Sequence, residues 1–136
     1  MTQEEDLLFK DLCGRIPYGV KANVSGWDEE KQEEFLIPLR VYSVNTDGYV
    51  HFEVNDYNVD YCGIEHCTLF LRPMRSMTKE EREEYIRMLC GVGFTEFHKT
   101  ADKILDFLYK RHFDVHGLIP KGMAIEVTPE NNPYKV

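Results

Sequence analysis

The sequence predicts an α+β fold: an N-terminal helix, a small curved antiparallel sheet, a C-terminal helical hairpin and a short final strand. Three observations predict it. Apolar residues recur at every second position through much of residues 20–71 and at every third or fourth position in the flanks. Asn45-Thr46-Asp47-Gly48 is a hairpin turn, because Asp-Gly tolerates the positive φ such turns need. Finally, Leu71-Arg72-Pro73 stops a β-like run, and Thr78 with Glu81 three residues later restarts the chain as a helix with a capping box. The 136 residues then form a single domain, with a helix-plus-sheet half (1–77) and a helical half with a tail (78–136).

The first helix starts at Thr2, with Glu5 in the reciprocal capping position, and is expected to end at Gly14, with Pro17 beyond. Leu7, Leu8 and Leu12 give it one apolar stripe. From Gly19 the period becomes two: Val20, Ala22 and Val24 alternate with Lys21, Asn23 and Ser25, a strand with one wet face. Gly26-Trp27-Asp28 is expected to turn it, and residues 28–34 read as a polar loop or a frayed helical turn. Phe35 to Val44 is the next strand, and Pro38, lacking an N–H, places its start after that residue or its course along a sheet edge. Tyr49 to Val54 alternates again, residues 55–61 read as a polar loop, and a fourth strand runs from Cys67 to Leu71. Four short strands joined by tight turns make a strongly curved sheet, an SH3-like barrel if it closes.

In the second half, Tyr85, Ile86 and Leu89 mark one side of a helix that Gly91 terminates. Phe97, Ala101, Ile104, Leu105 and Leu108 mark the next helix, and the short connection makes the two an antiparallel pair. Met123 to Val127 is the final strand. Residues 128–136, with Pro129, Asn131, Asn132 and Pro133, read as a loosely held tail.

Composition narrows the function classes. Hydrophobic residues make up 43% and charged residues 29%, ordinary for a globular chain. The net charge of −8 is concentrated in the strand half: residues 1–40 carry 9 acidic and 5 basic groups, and residues 41–77 carry 5 and 2. Such a surface repels phosphate, so duplex nucleic acid is disfavoured as a partner, while mimicry of nucleic acid towards a basic protein remains an alternative. No apolar run approaches the roughly 20 residues that span a bilayer. The acidic start Gln3-Glu4-Glu5-Asp6 is unlike a signal peptide, so the expected location is cytoplasmic. Cys13, Cys62, Cys67 and Cys90 are then reduced thiols, with Cys13 and Cys90 expected to be small buried apolar groups.

Candidate chemistry is sparse. In extended backbone His112, Asp114 and His116 share a face, and two imidazoles with a carboxylate suit a divalent metal such as zinc or iron; the alternative is that they finish a helix end and a turn. Cys62, His66 and Cys67 supply half of a zinc site, with no second pair at matching spacing. The chain has no nucleophile elbow, phosphate-binding glycine loop or dinucleotide fingerprint. No cofactor is expected beyond that metal. Binding has more support: Tyr18, Trp27, Tyr42, Tyr49, Tyr57 and Tyr61 lie in or beside the strands of the sheet half, and such aromatics supply large contact area at small entropy cost.

Three blocks also carry a resemblance: residues 11–20 (Asp11 to Val20), residues 71–78 (Leu71 to Thr78) with the glutamates that follow, and His112-Phe113-Asp114 with Gly117-Leu118-Ile119, Lys121-Gly122 and Ala124. Together they resemble uncharacterised proteins associated with phages and prophages of gut anaerobes, over most of the chain from residue 11 to about residue 126. The resemblance brings no activity with it. In that pattern the position of His116 is often basic without being histidine, which favours helix-end and turn roles for His112 and Asp114. Taken with the acidic, tyrosine-bearing sheet half and the lack of an assembled active site in the sequence, the resemblance points to a non-enzymatic accessory protein of a phage or prophage that binds a host or phage protein through its sheet half. The alternatives are a small metal-dependent enzyme using His112, Asp114 and His116, or an acidic nucleic-acid mimic.

Overall fold

The computed structural model describes residues 2–90 and 97–135, with the backbone alone over 97–100. Helix α1 (Gln3–Arg15) leads through a 3₁₀ turn at Ile16–Tyr18 into strands β1 (Lys21–Asp28), β2 (Glu33–Val44), β3 (Tyr49–Phe52), β4 (Tyr61–Gly63) and β5 (Thr68–Leu71). Helices α2 (Lys79–Cys90) and α3 (Phe97–Lys110) follow, then strand β6 (Ala124–Glu126). The strands form one curled half-barrel in the order β4-β3-β2-β1-β5-β6. β4 and β6 stand at its two ends and are not paired with each other among the described residues. The fold is α+β, as the sequence predicts.

Every pairing is antiparallel except the last, in which β6 runs parallel to β5. A parallel neighbour needs a crossover, and the α2–α3 pair supplies it. The curl has a local cause in β2. Val41 pairs with Phe52 and Ser43 with His51, so Tyr42 is an extra residue, a bulge that bends the strand. The bulge also resets the in/out alternation, which is why Val44 packs on the core together with Leu39 and Val41.

Pro38 does not start the strand; it lies inside β2, opposite Asn23. The Val41 N–H bonds to Val20 O, and Arg40 O accepts from Glu53 N, so alternate residues turn their backbone groups away from β1. Pro38 falls in that outward set, at a level where β3 does not pair with β2, and its missing donor leaves no ladder bond unmade. Strand β4, which begins at the last residue of the expected 55–61 loop, is only three residues long and too short to show a period.

The main core lies on the inner face of the sheet under α1. Leu8 and Leu12 pack there with Val20, Ala22, Leu39, Val41, Val50, Leu69, Leu71 and Leu118. A second cluster joins Phe107, Leu108 and Phe113 to Met77, Tyr85 and Met88. The helical pair is antiparallel: Tyr85 stacks on Phe107 at 6.3 Å, and Arg111, just past the end of α3, reaches Glu81 in the first turn of α2 and Glu84 at its middle. Ile86 and Leu89 do not share Tyr85's face and stay about half exposed, at 49% and 46%. Gly91 and the Phe97 side chain lie outside the described residues.

Both helix starts are capped as the spacing requires. Glu5 N donates to Thr2 Oγ1 at 3.1 Å. At α2, Thr78 N donates to Glu81 Oε1 at 2.9 Å and Glu81 N donates to Thr78 Oγ1 at 3.2 Å. Gly14, by contrast, does not end α1. A Cβ there would lie 2.6 Å from the Tyr109 ring, so its small size lets α3 approach, and the left-handed stop is Gly19 at φ 77°. Cys13 and Cys90 are exposed rather than buried; for Cys13 the reason is that the inward face of α1 is taken by Leu8, Asp11, Leu12 and Arg15.

Candidate functional site

The most polar buried region forms where α1, β5 and the segment after α3 meet. Arg15 on α1 is fully buried and its Nε donates to Asp11 Oδ2 at 2.5 Å, one helical turn away. Its Nη2 donates to Asp11 Oδ1 at 3.1 Å and to Phe113 O at 2.6 Å. Arg15 also lies 4.9 Å from the centre of the Tyr109 ring. His116 Nδ1 is 2.7 Å from Asp11 Oδ1.

Phe113 is the meeting point of all three sequence blocks. Arg15 of the first holds its carbonyl. Arg72 of the second lies over its ring at 4.2 Å. Arg72 N donates to His112 O, and Asp114 N donates to Arg72 O. The Arg72 guanidinium is also forked onto Glu81 at 2.9 and 2.7 Å. That contact, ahead of the Thr78 cap, holds the Glu81 carboxyl below its ordinary pKa.

The structure does not bring His112, Asp114 and His116 together around one point. His112 sits at φ 64° and stacks flat on Tyr134 at 3.6 Å. Burial, with help from Arg15, Arg72 and Lys21, lowers its pKa to about 4, so the ring is neutral at pH 7. The positive φ takes this segment out of the extended backbone on which a shared face depends. Asp114 accepts from Leu118 N at 2.8 Å and from Ile119 N at 3.0 Å, closing the following turn. His116 faces Asp11. Among the described residues no group of three or more His, Cys, Asp or Glu side chains is placed to hold a metal ion. Asp11 orients the His116 imidazole as a general base requires, but among the described residues no hydroxyl or thiol bonds to that ring.

Cys62 packs against the core cluster that buries Cys67, near enough for the two thiols to perturb each other. That interaction lowers the pKa of Cys62 and, together with burial, raises that of Cys67 well above its ordinary value. Both cysteines are free, and His66 points elsewhere, 3.7 Å from Glu65.

The aromatic residues divide differently. Tyr18 tethers the 3₁₀ turn to α3 by donating to Asp106 Oδ1 at 2.8 Å, which raises its phenol pKa. Trp27, Tyr42, Tyr49, Tyr57 and Tyr61 are open, at 58%, 67%, 45%, 55% and 58% exposure. Tyr49 and Tyr61 meet edge to face at 5.6 Å, and His51 lies 5.7 Å from Tyr61. With Asn45 they line a shallow hollow on the outer face, opposite the inward Val50 and Phe52. Tyr42 is thrown outward by the bulge. Tyr57 is presented by a loop that Asn55 organises: its Oδ1 accepts from Tyr57 N at 3.0 Å and Val59 N at 3.3 Å, and its Nδ2 donates to Glu53 O and Val59 O.

Sequence reasoning missed two functional placements. Phe35 packs on Tyr57 at 5.3 Å, and Tyr134 holds the tail in place. The Tyr134 hydroxyl accepts from Lys21 N at 3.0 Å and donates to Phe70 O at 2.7 Å, while Lys21 Nζ donates to Pro133 O. Residues 128–135 are therefore not loosely held. The available signal was Asn131, Asn132 and Pro133 acting as turn-formers before a large aromatic: Asn131 bonds Thr128 and Glu126 O, and Asn132 accepts from Tyr134 N. Burial raises the Tyr134 pKa to about 12.

Among the described residues no helix is long and apolar enough to cross a membrane. No protein-family model, curated protein or solved structure matches the chain.

Proposed function

We propose that this protein is a non-enzymatic accessory protein, of the phage or prophage kind its three blocks resemble, that works in the cytoplasm by docking a host or phage protein on its sheet half. One contrast carries this reading. Asp11, Arg15, Arg72, Glu81, His112 and Asp114 of the three blocks are engaged in holding elements together, whereas Trp27, Tyr42, Tyr49, Tyr57 and Tyr61 face outward. Aromatics displayed on a strand face with acidic surroundings offer the large, rigid contact area that protein interfaces use. The excess of acid groups in the same half favours a basic or neutral partner surface over phosphate.

The test is a photo-activated benzophenone side chain introduced at Tyr61, with the same group at exposed Glu80 on α2 as control, in lysate of the source cells. The expected result is an adduct of one discrete mass at position 61 and none at position 80. Labelling that is equal at both positions, or absent at both, would overturn the reading. A nucleic-acid mimic would lose the adduct when duplex DNA is added as competitor, because both would occupy the same basic surface of the partner.

A further inference from the structure

We propose that the groove at the free end of the β1–β2 hairpin is the docking site for an extended, lysine- or arginine-bearing segment of the partner. The inference rests on the binding reading above and names the chemistry of what is bound.

The hairpin outgrows its sheet. β5 pairs with β1 only at Ala22 and Asn23, and β3 pairs with β2 only from Val41 to Val44. Among the described residues, Val24–Asp28 and Glu33–Ile37 are therefore paired only with each other. A two-stranded ribbon is marginal alone in water, and this one carries Trp27 and Leu36 exposed, at 58% and 64%. Beside it lies an open groove of about 650 Å³ between the ribbon and the Tyr57 loop.

Aromatic rings form part of the groove wall. Phe35 lies so close over Gly26 that a Cβ there would sit 2.2 Å from its ring, and Tyr57 packs on Phe35. Trp27 lines the same space. The charged part of the lining is acidic: Asp28, Glu29, Glu30, Glu33 and Asp56 stand against a single cation, Lys31, and Ile37 and Asn58 complete the wall. Asp28 Oδ1 is occupied by the turn, accepting from Glu30 N and Lys31 N. The other four carboxylates form no ion pair among the described residues.

Ring faces next to unpaired carboxylates select a cation. The rings attract it through their quadrupoles, and the carboxylates supply its counter-charge. The backbone adds a preference for extended chain. Glu34 and Leu36 turn their N–H and C=O groups away from β1, and no strand pairs with them there among the described residues. That edge can accept a further strand as far as Pro38, which cannot donate. Phosphate-bearing and acidic chains are repelled by the same lining.

Trp27 is the chain's single tryptophan, so its emission reports on this groove directly. The probe is a blocked hexapeptide of alternating arginine and alanine, titrated at low salt, with the isosteric neutral citrulline peptide beside it. The arginine peptide is expected to change Trp27 emission saturably, and the citrulline peptide is not. Binding should weaken by about ten-fold or more in Tyr57→Ala and, separately, in the Glu30→Gln, Glu33→Gln double variant, and it should weaken again with added salt. Both variants alter exposed groups, and unchanged circular dichroism and melting would establish that they fold. No saturable change with the arginine peptide, equal response to the citrulline peptide, or undiminished binding by the folded variants would overturn the inference. The Tyr61 cross-linking result stands or falls separately, so loss of this groove assignment leaves the binding reading distinguishable.

Discussion

Replacing Asp11 with leucine removes both oxygens that face Arg15 Nε and Nη2, at 2.5 and 3.1 Å. The guanidinium is fully buried, and Phe113 O at 2.6 Å becomes its one remaining hydrogen-bond acceptor. Stranding one member of a buried pair costs about 3–5 kcal/mol, because a charge is left out of water without its counter-charge. A stability near the usual range of about 5–15 kcal/mol would lose a large part of itself. The melting temperature should fall by about 10–15 °C for a domain of this size. Arg15→Met should cost less, since Asp11 keeps His116 at 2.7 Å. The double variant should recover about 2 kcal/mol or more of the summed loss, because two apolar side chains then meet where a lone charge stood. Urea unfolding followed by far-UV circular dichroism measures all three. The reasoning fails if Asp11→Leu loses under about 1 kcal/mol, or if the two single losses simply add.

Tyr134→Phe should lose about 1–3 kcal/mol, because Lys21 N–H and Phe70 C=O are both left without their partner; amide exchange at Lys21 should accelerate, and unchanged exchange there would contradict the latch. Stability should also fall in acid on account of His112. The unfolded chain takes a proton on this ring near pH 6.5, but the folded chain takes it only at about 4. That contribution is complete above pH 6.5 and is lost as the pH falls towards 4, by about 2–3 kcal/mol after allowing for the ring's partial exposure. His112→Asn, which keeps a residue tolerant of the left-handed backbone, should flatten that stretch of the stability–pH curve, and an unaltered slope would refute the assignment. Zinc added at stoichiometric level, or a chelator, should leave the melting temperature unmoved, because His112, Asp114 and His116 are committed to Tyr134, to backbone amides and to Asp11; a rise with zinc would restore the metal reading.

Features written in local residue order were legible in the sequence. Thr78 and Glu81 cap α2 because both partners lie within one turn, and Asn45 to Gly48 makes its hairpin for the same reason. The alternation of Val50 and Phe52 gave their inward face. What escaped depends on distant partners. Gly14 resembles a helix stop until Tyr109 is seen to need its space. His112, Asp114 and His116 share a face only while the backbone is extended, and φ 64° at His112 breaks that premise. Tyr134 carries no mark of its slot, since Lys21 and Phe70 are far off in the chain. Tyr49 was legible as outward-facing because it alternates with Val50 and Phe52, and Tyr57 and Tyr61 because they stand in a polar segment, but Phe35 was not, since alternation puts it on the inward face of a ribbon that has left its core behind.

The junction at Phe113 bears on how this polypeptide reaches its native state. Arg15 waits for a carbonyl 98 residues downstream, and the Lys21 amide for a hydroxyl 113 residues downstream. Loop closures of that length are entropically slow and tie early segments to late ones. The two apparent halves of the chain are thus halves in pattern only: a fragment ending at residue 77 would leave Arg15 without the Phe113 carbonyl, Arg72 without Glu81, and an empty seam between the first and fifth strands. Ribosomal synthesis must deliver almost the whole chain before either half can close.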